Sequence, residues 1–221
     1  MKRSKQLLGA VSTIALIAFS ASPALAGGST AGSSITNNVS VSFDVGGVTQ
    51  TAVTASNTFT VDRKIDVLVD FAGTAATSVA PGAQNQVLAF DVTNLSNAVV
   101  DIRLAAALNA GNAANIANFE VYRDTNGDRS LSAAELAAGP ITYLDEVAAD
   151  GTVAVIVIAD IGLGAVNGNE FDVVLTGTAR EGGTAGTQGA AITQTAGANT
   201  AGVDTVFTDG AGTTDAARDG A

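Results

Sequence analysis

Between residues 35 and 178 the chain breaks into short runs whose apolar residues recur at every second position, the period of a half-buried strand. Ile35, Val39, Val41, Phe43 and Val45 fall on odd positions with Ser, Asn and Asp mostly between them, and Gly46-Gly47 then offers a two-residue hairpin turn. A returning strand runs over residues 48–53, and Phe59 and Val61 lead to Asp62-Arg-Lys64. Ile65-Asp-Val-Leu-Val-Asp-Phe71 alternates again, and Pro81-Gly82 marks a turn before residues 87–92. Residues 94–97 turn once more, and residues 99–104 and 118–123 give further strands. Thr152-Val-Ala-Val-Ile-Val-Ile158 is apolar on both faces, as a central strand is, and residues 171–178 alternate.

Eight or nine short strands with Gly and Asn turns predict an all-β chain, most naturally an Ig-like β-sandwich, with a single barrel as the competing architecture. Helical periodicity is confined to residues 132–138, stopped by Gly139-Pro140, while the Ala-rich stretch 105–117 reads either as helix or as loop.

The densest chemistry lies in Asp124-Thr-Asn-Gly-Asp-Arg-Ser-Leu-Ser-Ala-Ala-Glu135. Taken as a twelve-residue loop, it sets Asp124, Asn126, Asp128, Ser132 and Glu135 at positions 1, 3, 5, 9 and 12, with the Ser130 carbonyl at position 7. That is the oxygen order of an EF-hand calcium loop, and a hard cation taking six to eight oxygens suits it. Leu131, at position 8, is placed to pack inward. Position 6, where such loops carry glycine for a left-handed turn, is Arg129. Strain and the added positive charge both weaken binding, toward roughly 10⁻⁴–10⁻³ M. The plain alternative is an Asn-Gly turn followed by a helix capped by Ser132 or Asp128. A strand precedes the loop and a short helix follows, so the site would pin a connection and not open as a sensor does.

The ends differ from the middle. Residues 1–26 read as a secretory signal peptide: Lys2, Arg3 and Lys5, an apolar stretch over residues 7–19, then Ala24-Leu-Ala26 as a cleavage site. The apolar stretch is short for a membrane span, and an uncleaved anchor is the alternative. Removing this leader takes three of ten basic residues and moves the net charge from −11 to about −14. So acidic a chain is a poor partner for nucleic acid or anionic lipid. It contains no cysteine, so the fold rests on its core although it is expected outside the cell. Residues 27–34 read as a flexible start, residues 35–180 as the sandwich, and residues 181–221 as a Gly/Thr-rich tail with one weak strand near Val203, Val206 and Phe207.

Val61-Asp-Arg-Lys-Ile-Asp-Val67, Gln86-Val-Leu-Ala-Phe-Asp-Val-Thr-Asn94 and Val121-Tyr-Arg-Asp-Thr-Asn-Gly-Asp128 resemble, in that order, secreted bacterial conserved-repeat surface proteins. Thr152-Val-Ala-Val-Ile-Val-Ile-Ala-Asp-Ile161 and Val203-Asp-Thr-Val-Phe-Thr-Asp209 continue the likeness. The resemblance implies an extracellular Ig-like sandwich with a structural or adhesive role and no catalysis.

The residues agree with that expectation. Without His or Cys, Ser-His-Asp and Cys-His nucleophile systems and the zinc sites built on those ligands are excluded. There is no Gly-rich phosphate loop followed by Lys, and with 5% aromatics and no Trp a sugar-stacking platform is poorly supplied. The sequence therefore predicts a non-enzymatic, exported structural module stabilised by calcium. Its alternative is an adhesive or polymerising subunit that binds other surface proteins or copies of itself through edge strands.

Overall fold

The computed structural model describes residues 28–73, 76–197 and 199–208. Residues 1–26, expected as a leader, and the residues beyond 208 lie outside the described residues. In chain order the strands are β1 (Ser34–Val41), β2 (Asp44–Val45), β3 (Val48–Thr49), β4 (Val53–Thr60), β5 (Arg63–Ile65), β6 (Val67–Phe71), β7 (Gln86–Asn94), β8 (Val100–Ala110) and β9 (Ile116–Arg123). One helix follows, α1 (Ala133–Ala138), then β10 (Tyr143–Val147), β11 (Thr152–Ile161), β12 (Asp172–Glu181) and β13 (Thr205–Phe207).

The body is an all-β sandwich. A four-stranded sheet in the order β6-β7-β11-β9 faces a three-stranded sheet in the order β10-β8-β12, with antiparallel neighbours in both. The inward residues of the two sheets meet in one core: Val67, Phe90, Val92, Val155 and Val157 from the first, Val100, Ile102, Leu104, Leu144 and Leu175 from the second. β11 lies inside its sheet, as its two apolar faces require, so its remaining side chains need a second cover. Ile156 and Ile158 find it with Tyr122 and Leu131, which brings the loop after β9 down onto the outer face of the sheet.

The Ala-rich stretch resolves as strand: β8 runs on to Ala110, hydrogen-bonded along its length to β12, and a single 3₁₀ turn over Ala113–Asn115 precedes β9. Small side chains do not oppose extension when a neighbouring strand pairs with the backbone along the whole stretch. The tail also returns to the body, where β13 lies parallel to β5, pairing Thr205 with Arg63 and Phe207 with Ile65. Arg63 fastens this corner with a two-pronged ion pair to Glu181 (2.5 and 2.9 Å) and a bond to the Thr205 hydroxyl (3.1 Å).

The first strands do not belong to the sandwich, although the sequence reading runs it from residue 35. β1 and β4 form a separate two-stranded ribbon in register from Ser34↔Thr60 to Val41↔Val53, and β2 and β3 close its tip around Gly46-Gly47. The alternation defines an apolar face, but among the described residues no second layer lies against it. The ribbon's foot is held where Gly32 N–H meets the Val61 carbonyl (2.9 Å) and Ala31 N–H meets the Asn97 carbonyl (3.1 Å). Asn97 also donates to the Ser29 carbonyl (3.0 Å), so residues 28–34, expected as a flexible start, are tied to the body.

Candidate functional site

The loop from Asp124 to Glu135 begins where β9 ends and closes on its own donors. Asp124, nearly buried, accepts from Gly127 N–H (2.6 Å) and Arg129 N–H (3.1 Å). Asn126 accepts from Asp128 N–H (3.0 Å), and Asp128 from Ser130 N–H and the Ser130 hydroxyl (both 2.9 Å). These are successive side-chain-to-backbone turns, the local geometry that Asp and Asn favour. The Ser130 N–H and hydroxyl hold the exposed Asp128 carboxyl below its ordinary range.

Ser132 caps α1, and with Glu135 it forms a reciprocal capping box. Glu135, also nearly buried, accepts from Ser132 N–H (2.9 Å), the Ser132 hydroxyl (2.8 Å), Thr125 N–H (2.7 Å) and the Thr125 hydroxyl (3.0 Å). Those donors, Ser132 N–H foremost, bring its pKa down to about 2. A carboxylate offers about four lone-pair sites, and here all four are engaged. A cation at this loop would have to displace the two hydroxyl donors, whose oxygens are then free to turn toward it.

Position 6 adopts the left-handed turn that the loop register demands even without glycine: Arg129 has φ 62°. Its charge, expected beside the ion, is carried off to β7, where the guanidinium pairs with both oxygens of Asp91 (2.7 and 3.0 Å). Together with Leu131 packed against Tyr122 and Ile156, this staples the loop across the outer face of the sheet.

Among the described residues, the acidic side chains that do converge are Asp101, Asp145 and Glu146, with one oxygen from each within 4.8 Å of the others. Asp124, Asp128 and Glu135 form no such group. The sequence reading missed this trio because a β-bulge builds it. Leu144 pairs with Ile102 and Val147 with Val100, so Asp145 and Glu146 together oppose Asp101. Glu146 takes φ 49°, which turns two consecutive acidic residues toward one partner instead of toward opposite faces. The visible signal was an adjacent acidic pair inside Leu144-Asp-Glu-Val147, and an Asp between Val100 and Ile102.

The Gly-rich segment 182–189, read from sequence as the start of a Gly/Thr-rich tail, wraps this trio with backbone donors. Gly189 N–H and Glu146 N–H bind the two oxygens of fully buried Asp101 (2.8 and 2.9 Å). Gly183 and Thr184 N–H converge on Glu146, and Gly186 N–H sits between the two Asp145 oxygens (3.0 and 2.9 Å). Glycine is needed for so close a wrap: a Cβ at Gly189 would lie 1.7 Å from the Glu181 carbonyl oxygen. Arg180 sits opposite Asp101 in the ladder and supplies one neighbouring positive charge. Three carboxylates this close repel one another, and N–H dipoles or a cation relieve that. An ion with oxygen distances of about 2.4 Å spans such a separation, so the group could hold a metal ion.

At the far end of the sandwich the surface changes character. Phe71, Val87, Phe90, Ile161, Val166 and Phe171 line an open groove of about 890 Å³, with the Phe71 and Phe90 rings edge to face at 5.5 Å. No helix among the described residues is long and apolar enough to cross a membrane. No family model, curated protein or solved structure matches the chain.

Proposed function

We propose that the chain is an exported, non-enzymatic structural module of the cell surface or extracellular space, an Ig-like sandwich whose connections are fixed by carboxylates and tightened by calcium. The observation that carries this reading is the use of the acidic side chains: Asp101, Asp124, Glu135, Asp145, Glu146 and Asp204 each bind loop N–H groups. Carboxylates so employed hold backbone in place, and their clustering favours a hard, oxygen-seeking cation. The trio of Asp101, Asp145 and Glu146 already converges, while Asp124, Asn126, Asp128, Ser130, Ser132 and Glu135 offer the second holder. The resemblance to secreted conserved-repeat surface proteins, the leader at residues 1–26 and the four-and-three strand division support the location and the Ig-like type.

Thermal melts with calcium and with chelator test the ion. Binding to the folded state alone adds RT ln(1 + [Ca]/Kd), about 1–3 kcal/mol when calcium exceeds Kd several-fold to a hundredfold. Asp101→Asn abolishes the shift if the trio holds the ion, and Asp124→Asn abolishes it if the loop does. Identical midpoints in both media remove calcium from the account.

A second reading, that of a self-associating surface subunit, is favoured by the ribbon of residues 34–60, which stands outside the core with Val39, Val41, Val53 and Phe59 at least half exposed.

A further inference from the structure

The register of the ribbon sorts its residues by chemistry. Ile35, Val39, Val41, Val53, Ala55 and Phe59 share one face, interrupted only by the Asn37–Asn57 pair. Ser34, Thr36, Asn38, Ser40, Thr54, Ser56, Thr58 and Thr60 make up the other. Val39 is 60%, Val41 54% and Val53 62% exposed, so the apolar face is bare. Isolated two-stranded ribbons are marginal in water, and a bare apolar face is normally an association surface.

What covers it follows from charge and position. Asp44 is the one charged residue between positions 34 and 60, in a chain with 21 acidic and 10 basic residues. Two copies of so acidic a protein repel wherever their ordinary surfaces meet, and a ribbon with a single charge, at its tip, largely escapes that repulsion. The groove is its counterpart, with Glu170 and Asp172 as the charged residues of its lining. Both halves are present in every copy, at opposite ends. The ribbon's foot is at Val61 and Asn97, beside the ends of β7 and β12 and the starts of β6, β8 and β11. The groove is lined at the reverse ends of β6, β7, β11 and β12, by Phe71, Gln86, Ile161 and Asp172. The ribbon of a molecule therefore cannot fill its own groove while its foot stays where it is.

We propose that the ribbon of one copy lays its apolar face in the groove of the next, joining copies head to tail. Such a contact uses two different surfaces, so it propagates as an open chain unless the rotation closes a ring. The inference rests on the self-association reading and adds to it the two surfaces that meet.

Sedimentation of the mature chain over a range of concentrations tests it, with three variants. Val41→Asp with Val53→Asp charges the apolar face, Ser40→Asp with Thr54→Asp adds the same charges to the hydroxyl face, and Val166→Asp, at a site 65% exposed, charges the groove. All five positions lie at the surface, and matching melts of the monomers verify that each variant folds. Wild type and the hydroxyl-face variant associate with rising concentration, while the other two lose roughly a hundredfold or more in affinity, because an unpaired carboxylate is desolvated in the contact. A mixture of the apolar-face and groove variants gives one-to-one pairs and nothing larger, since each retains one working half. Undiminished association of Val166→Asp overturns the groove assignment and leaves self-association standing. A wild type that stays monomeric throughout overturns both.

Discussion

The ribbon of β1 and β4 and the β7–β11 pair are ladders of the same kind placed in opposite surroundings. Each is antiparallel, with eight residue pairs in unbroken register, and each carries a Thr–Thr hydroxyl bond of 2.8 Å across its strands, Thr36 to Thr58 in one and Thr93 to Thr152 in the other. In β7 and β11 the valines at positions 92, 155 and 157 are fully enclosed, whereas Val39, Val41 and Val53 in the ribbon are mostly solvated. Backbone pairing and alternation are thus indifferent to burial. What separates the two is a second layer: β8 and β12 cover one face of the β7–β11 pair, and Leu131 helps to cover the other.

Truncating one residue in each ladder is the strongest attack on this contrast. Ile156→Ala empties a fully buried site and is expected to lower stability by about 2–5 kcal/mol. Val53→Ala, read in the same denaturant melts on the monomer, is expected to stay within about 0.5 kcal/mol. Comparable losses would mean that the ribbon has a cover within the chain after all.

A smaller effect sharpens the contrast at the sandwich's carboxylate-clamped end, for which the ribbon has no equivalent. Asp101→Ala leaves the Gly189 and Glu146 N–H groups without their acceptor, at about 1–3 kcal/mol. Amide exchange at Gly189 is expected to accelerate with it, while exchange across β1 and β4 stays unchanged. An unaltered Gly189 amide would show that the Gly-rich segment is held by something else.

The mildest probe is acid. Glu135 has its pKa lowered from 4.5 to about 2 in the folded protein, so its contribution is fully present above pH 4.5 and fades as the pH falls toward 2. Wild type is therefore expected to lose stability more steeply across that window than Glu135→Gln, in melts taken at stepped pH. Parallel slopes would detach the carboxylate from the loop's stability.

The strands of the sandwich were legible where period-two alternation ran unbroken, as at residues 65–71, and where a short apolar run between turns marked a strand buried on both faces, as at residues 152–158. β10 was not, because the bulge at Asp145 and Glu146 sets Leu144 and Val147 three apart and destroys the period. The acidic trio disappeared with it, since its members come together only through that irregularity and a pairing 45 residues distant. In the 124–135 loop, local order carried more information: the left-handed turn at position 6 and the inward Leu131 follow from spacing alone. The partner of Arg129 does not, because Asp91 reaches it through the sheet. Glycines at 182–189 suggested slack, yet their lack of side chains is what admits the backbone to three carboxylates.

The parallel pairing of β13 with β5 sets a timetable for a chain that is made amino end first. Residues 63–65 emerge early but gain their neighbour only when residues 205–207 follow, so this corner stays open until those residues have been made. Closure then joins segments about 140 positions apart, a slow step by its topology. Completion of the fold waits on residues 205–207, and a nascent chain interrupted before them would carry an unfinished seam along β5.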